Sequence, residues 1–292
     1  MPETPDFPAL TASDGNEPPP EGARFSPAAE RNRQPILDAL RQVLPKQGHA
    51  LEIASGTGQH AAWFAAGLPG WVWQPSDAQS DAFGSVAAWC AQAGVANVRE
   101  PVLLDVLATQ WPSAGLAFTT LFDALYCANM LHISPWATCA ALMQGAARHL
   151  APQGVLILYG PYLERDVPTS PGNRAFDDSL RQTDPAWGLR QLDDVLAQAA
   201  QAGLHLRLRI TMPANNLLLV LGRKLASAAR AASCRSTRRP AATAALIKAR
   251  ESVVFPLPPF RAIAAITTRY PACSIRRVER RKKTTASGIV AM

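Results

Sequence analysis

The sequence predicts an α/β fold, a doubly wound sheet of six to seven strands that is mostly parallel and ends in an antiparallel hairpin. Three observations predict it. Short apolar runs alternate with helical patterns through the middle of the chain, the signature of successive βαβ units. Runs such as Val155–Tyr159 are almost unbroken, as suits strands covered on both faces. The last two runs are joined only by Met212-Pro-Ala-Asn-Asn216, too short for a helical crossover, so those strands must be antiparallel neighbours.

The elements follow in order. Residues 1–23 contain Glu17-Pro-Pro-Pro-Glu21 and few apolar groups, and read as a disordered arm. Ser26-Pro27 starts a helix, with Ser as N-cap, Pro at the first position and Glu30 in the first turn. Ile36, Leu37, Leu40, Val43 and Leu44 continue it at helical spacing, and Pro35 is expected to split or kink it. His49–Ala54 reads as a strand, Gln59–Ala66 as a helix and Trp71–Pro75 as a second strand. Ser80–Ala93 is helical, Val98–Leu104 a third strand and Leu121–Ala128 a fourth. Pro135–Leu150 is a long helix before the fifth strand. Residues 163–190 are polar, contain Pro168, Pro171 and Pro185, and interrupt the alternation. Leu192–Ala202 is helical, and strands follow at His205–Thr211 and Leu217–Leu221.

Of the 292 residues 48% are hydrophobic, enough for a sizeable core. The net charge of +7 points to nucleic acid only until it is counted by segment. Residues 1–223 hold 14 Lys/Arg against 20 Asp/Glu, whereas 224–292 hold 15 against 2. Residues 1–223, which include the expected folded part 24–223, are therefore net acidic, which argues against extended phosphate contact. The basic tail 224–292 is expected to lie outside the fold as a disordered or non-native extension. The five cysteines show neither paired spacing nor a zinc pattern, and Cys90, Cys127 and Cys139 fall in apolar surroundings. No metal site is expected. With no signal-peptide pattern and no apolar run near the roughly 18–20 residues of a membrane span, a cytoplasmic protein is expected.

Chemistry concentrates at the strand ends, where open α/β sheets bind ligands. Leu51-Glu-Ile-Ala-Ser-Gly-Thr-Gly58 lies between a strand and a helix. Gly56 and Gly58 permit a tight turn and close backbone approach, and the following helix offers free N–H groups. Glu52 is placed to act on a cationic ligand end. Asp77, ending the second strand, can accept both ribose hydroxyls of a nucleoside, or serve as a helix N-cap for Gln79 onward. Asp105, ending the third, can accept an adenine amine, with Val106 packing on the ring. Asn129 and His132 follow the fourth strand at the expected pocket mouth, and His132 is either the candidate base or a helix-capping or core histidine. Arg31 and Asn32 on the first helix can close over the carboxylate at the amino-acid end of the ligand, or be solvated surface groups. Tyr159, Tyr162, Asn173, Phe176, Trp187 and Arg190 are the expected wall and lid of an acceptor pocket.

Seven strings carry a resemblance. They are Phe25-Ser-Pro-Ala-Ala-Glu-Arg-Asn-Arg33, Leu51-Glu-Ile-Ala-Ser-Gly-Thr-Gly-Gln-His60 and Ala128-Asn-Met-Leu-His-Ile-Ser-Pro-Trp136, followed by Leu158-Tyr-Gly-Pro-Tyr162 and Asn173-Arg-Ala-Phe-Asp177. Asp184-Pro-Ala-Trp-Gly-Leu-Arg190 and Met212-Pro-Ala-Asn-Asn-Leu217 complete the set. Over residues 24–221 the chain resembles the Rossmann-like class I S-adenosylmethionine (SAM)-dependent methyltransferases, and more closely the methyltransferase-like protein twenty-six family. The resemblance implies SAM as cofactor, bound by Glu52, Gly56, Gly58, Asp77, Asp105 and the Asn129 region. It names no acceptor. Val167 departs from it, standing where the family pattern has His near the start of the loop. The absence of an Asn-Pro-Pro-Tyr or Asp-Pro-Pro-Tyr string argues against a base-modifying amino-methyltransferase, so a small-molecule acceptor is expected. A non-catalytic SAM-binding module and an RNA methyltransferase using the basic tail are the alternatives.

Overall fold

A computed structural model describes residues 18–224. The expectations for residues 1–17 and for the basic tail lie outside the described residues. The elements are α1 (Pro27–Val43), β1 (Gly48–Ile53), α2 (Gln59–Gly67), β2 (Trp71–Asp77), α3 (Phe83–Gln92), β3 (Val102–Leu103) and β4 (Phe122–Ala128). They continue with α4 (Ala137–His149), β5 (Leu150–Gly160), β6 (Tyr162–Leu163), α5 (Pro171–Thr183), β7 (Arg190–Gln191), α6 (Leu192–Gln201), β8 (Leu204–Met212) and β9 (Asn216–Arg223).

Seven strands form one sheet in the order β3-β2-β1-β4-β5-β9-β8. Pairings from β3 to β5 are parallel, whereas β9 runs antiparallel to both β5 and β8. The predicted hairpin is therefore present, closed by a 3-10 turn at Pro213–Asn215. The chain leaves β1 towards β2 on one side and returns to β4 on the other, so the crevice above the β1/β4 carboxyl ends is the switch point where such sheets bind ligands.

Alternation along the strands divides the core between two faces. Leu51, Ile53, Leu125, Leu156, Leu158, Leu219 and Leu221 pack with α4 and α6 through Leu142, Met143, Val195 and Ala199. Ala50, Ala124, Tyr126, Ile157, Leu218 and Val220 face α1 and α2, meeting Ile36, Leu37, Leu40 and Phe64. Because both faces are covered, successive residues of one strand are buried and the runs read as unbroken.

Three elements differ from expectation. Pro35 lies inside a single 17-residue α1 rather than between two helices. Val98–Leu104 pairs as a strand only at Val102–Leu103, plus one bridge from Val98 to Trp73. Pro101 between them lacks the N–H a ladder needs. The segment 163–190 holds the 13-residue helix α5, with Ser170 as N-cap and Pro171 in the first turn. Its prolines read as breakers, yet Ser170-Pro171 repeats the start signal of Ser26-Pro27. The parallel pair β6–β7 ties the two ends of this segment together.

Candidate functional site

The glycine turn joins β1 to α2. Ala54, Gly56 and Gly58 all have positive φ, at 56°, 53° and 85°. The two glycines do different work. A Cβ on Gly58 would lie 2.5 Å from the Val86 Cα, so Gly58 lets α3 pack against the turn. A Cβ on Gly56 would meet nothing within 4 Å, so that backbone faces open space. Asp77 holds the turn from the next strand, its Oδ2 accepting the Gly56 N–H at 3.0 Å and its Oδ1 the Gln79 N–H at 3.2 Å. Asp77 thus closes a turn rather than capping a helix, since α3 begins only at Phe83, and its half-buried carboxylate lies beside the open glycine face. Asp105 is exposed and accepts the Leu107 N–H at 2.9 Å, while Val106 is a core residue.

Glu52 is not on this open face. It is 2% exposed and accepts the Trp73 Nε1–H at 2.7 Å. Burial pushes its carboxyl up to about 8, against the lowering effect of the Trp73 bond and with a further rise from Asp77. Protonated near pH 7, this carboxyl is turned towards Trp73. It holds β1 to β2 beneath the glycine turn.

Helix α1 lies over α2 through polar contacts at its first turns. Gln59, at the start of α2, accepts the Ser26 N–H at 2.6 Å and donates to Glu30 at 3.1 Å. His60 Nε2 lies 2.7 Å from Asn32 Oδ1, and its Nδ1 lies 3.3 Å from the Tyr126 hydroxyl. These contacts explain why Phe25–Arg33 and Gln59-His60 belong to one set of motifs.

Beside the turn, at the carboxyl ends of β4 and β5, is a cavity of about 640 Å³. Arg31, Asn32 and Pro35 line it from α1, Asn129 from the end of β4, and Tyr159 and Pro161 from the end of β5. Asn173 and Phe176 of α5 and Pro213, Ala214 and Asn216 of the β8–β9 turn complete the wall. Asn173 binds that turn through its amide, which donates to the Asn215 carbonyl at 3.0 Å, so α5 and the hairpin form one side together.

Of the expected wall and lid, Tyr159, Asn173 and Phe176 reach the cavity; Tyr162, Trp187 and Arg190 do not. Tyr162 is buried edge-on against His132. Trp187 is half-buried, its N–H bonded to the Asp184 carbonyl. The Arg190 guanidinium donates to the carbonyls of Leu131, Ser134 and Ala186, which anchors the segment instead of facing a ligand. His132, expected as a base at the pocket mouth, is 0% exposed, and neither ring nitrogen has a hydrogen-bond partner. Its Nε2 lies 2.5 Å from where a Gly160 Cβ would be, and burial lowers its pKa to about 4. His132 is not among the residues that line the cavity. Arg31 and Asn32 are brought to the cavity rather than to the glycine turn. The contribution of Pro213–Asn216 was not foreseen, although the string had been singled out; positive φ at Ala214 and Asn215 turns it over the strand ends.

Among the described residues no cluster of side chains fits a metal ion, and no helix is long and apolar enough to cross a membrane. Cys127 and Cys139 are buried and free, and Cys90 is half-buried.

The strand order, the antiparallel hairpin and the strand-end crevice define a fold of the Rossmann-like methyltransferase type. CalO1, a methyltransferase in calicheamicin biosynthesis solved in its SAH-bound form, is similar at TM-score 0.54 and 14% identity, over 67% of this chain and 55% of its own. An O-methyltransferase family 2 protein from Planctomyces limnophilus DSM 3776, solved with apigenin, is similar at TM-score 0.56 and 20% identity, over 67% and 57%. The SAM-dependent methyltransferase SibL in its apo form is similar at TM-score 0.54 and 18% identity, over 67% and 55%. The chain spans little more than half the length of these solved structures. It belongs to the family described as Protein of unknown function (DUF938), which matches residues 23–223.

Proposed function

We propose that the chain binds SAM at the β1–α2 turn and transfers its methyl group to a small molecule held in the adjoining cavity. The observation that carries this reading is the pairing of two features at one switch point. Gly56 leaves one side of its backbone open beside the Asp77 carboxylate, and a cavity opens a strand away, lined by Asn129 at the end of β4. The open glycine face fits a nucleoside-bearing ligand that approaches the backbone closely. Gly56, Gly58, Asp77, Asp105 and Asn129 would hold it, and Glu52 would support the turn from below. The group supplies an activated methyl on a sulfonium. The chain's own residues orient the acceptor and exclude water, and positioning of this kind supplies much of the rate of an in-line displacement.

The strings shared with the methyltransferase-like protein twenty-six family support the same reading, as do the SAH and apigenin complexes of the two structural neighbours. The cavity, bordered by Phe176, Tyr159 and prolines, has the size of a small-molecule site. Calorimetric titration with SAM and with its demethylated product is expected to give saturable binding. Asp77→Ala should weaken both by about 1–3 kcal/mol, as for lost hydrogen bonds to a charged group. Unchanged affinity in that variant would reduce Asp77 to a turn cap. Tight binding with no methylated product from a metabolite pool would mark a binding module instead.

A further inference from the structure

The cavity contains a single cation and no group able to take a proton, and we propose from this that the methyl acceptor is a small molecule with an ionised oxygen, a carboxylate or an acidic enol, seated against Arg31 and the Tyr159 hydroxyl. The inference rests on the transferase reading above and names its substrate class.

Among the described lining residues Arg31 alone is charged; none is Asp, Glu, His, Lys or Cys. Its neighbours on α1 are paired, Arg33 with Glu30 and Arg41 with Asp38, whereas no ion pair involves Arg31 among the described residues. A guanidinium that lines a cavity without an internal partner favours an anionic occupant.

A hydrogen-bond chain runs behind the wall. Asn32 Oδ1 can only accept, so His60 Nε2 carries the proton. The buried ring stays neutral, its pKa lowered to about 4, and Nδ1 therefore accepts from the Tyr126 hydroxyl. Tyr159 lines the same cavity as Arg31 and Asn32, and its hydroxyl offers an occupant a donor. Burial raises the pKa of this hydroxyl, so it remains a donor at neutral pH. Asn173 and Asn216 spend amide N–H groups on the carbonyls of Asn215 and Pro213, which leaves their oxygens for hydroxyl or N–H groups elsewhere on the acceptor.

A neutral hydroxyl acceptor would need a base in contact, and this lining supplies none. An ionised oxygen needs none. It forms a new bond to the methyl carbon, the methyl–sulfur bond breaks, and its electron pair stays on sulfur as a neutral thioether. No proton moves. The product has lost the charge that Arg31 held, which favours its release.

The test uses the full chain, methyl-labelled SAM and a small-molecule extract split on an anion exchanger at neutral pH. Label is expected only from acceptors in the retained, anionic fraction. Arg31→Gln is then expected to weaken affinity for the labelled acceptor, measured by titration beside the demethylated cofactor, by about ten-fold or more, as for a lost charge-assisted bond. Cofactor affinity should stay the same. Label arising from the neutral or cationic fraction overturns the inference while leaving the transferase reading intact. A loss of cofactor affinity in Arg31→Gln with unchanged acceptor affinity overturns it too, by placing Arg31 on the methionine carboxylate. No label from any fraction sinks the transferase reading and this inference with it.

Discussion

Three buried side chains, Glu52, His60 and His132, set the pH response of the described residues. Folded Glu52 keeps its proton to about pH 8, whereas an unfolded glutamate releases it near 4.5. The unfolded state therefore binds fewer protons across that window, and stability falls as pH rises through it. Glu52→Gln keeps an acceptor for Trp73 and removes the titration. Its advantage in thermal melting should be small at pH 5 and reach the order of a few kcal/mol at pH 8.5; an advantage independent of pH would show that Glu52 is solvated. His60 and His132 act in the opposite direction. Both are held neutral to about pH 4 against an ordinary value of 6.5, so stability is lost as pH falls between those values. His132 also carries two unpartnered buried nitrogens, each costly to desolvate. Replacing it by Leu should raise the unfolding free energy at neutral pH by about 1 kcal/mol and flatten the acid side of a urea-midpoint profile. Turnover should survive, because the ring does not reach the cavity; a loss of turnover in a folded His132→Leu variant would restore it as a functional group.

At the scale of elements, the β1–α2 turn separates packing from binding within three residues. Gly58→Ala places a methyl on the Val86 backbone at a φ of 85°, and should cost more than about 2 kcal/mol through strain and overpacking together. Gly56→Ala meets no protein atom and should cost only about 1–2 kcal/mol of left-handed strain, yet weaken SAM binding more than its stability loss suggests. Denaturation and titration of the pair separate these effects; equal losses of stability would contradict the packing difference. Helix starts illustrate what local sequence can and cannot reveal. Ser26-Pro27 is legible because an apolar stripe follows it, while Ser170-Pro171 opens a helix with one buried residue, Leu180, and little periodicity to read. The short β3 is the converse case, where apolar residues promise a longer strand than Pro101 allows.

Across the whole molecule, the sheet is completed by β9, which lies between β5 and β8 rather than at an edge. The seven strands and the cavity-lining residues that are described form a continuous sheet and wall without any contribution needed from the basic tail. Removal of residues 225–292 should therefore leave SAM affinity unchanged in a titration; a lost or RNA-dependent affinity would give that basic tail a part in the site. The sequence by itself determined the strand–helix alternation, the terminal hairpin and the glycine turn, because each follows from spacing between neighbours in the chain. It also singled out most of the chemically capable residues. Only the tertiary structure decided which of them share a space. His132, Tyr162 and Arg190 look like cavity residues in one dimension, and burial or backbone bonding keeps them out of the cavity lining. Arg31, Tyr159, Asn173 and Asn216 meet there although up to 185 positions separate them. The physical reason is that polarity and reactivity belong to a residue type, whereas exposure depends on which faces two distant elements turn towards each other.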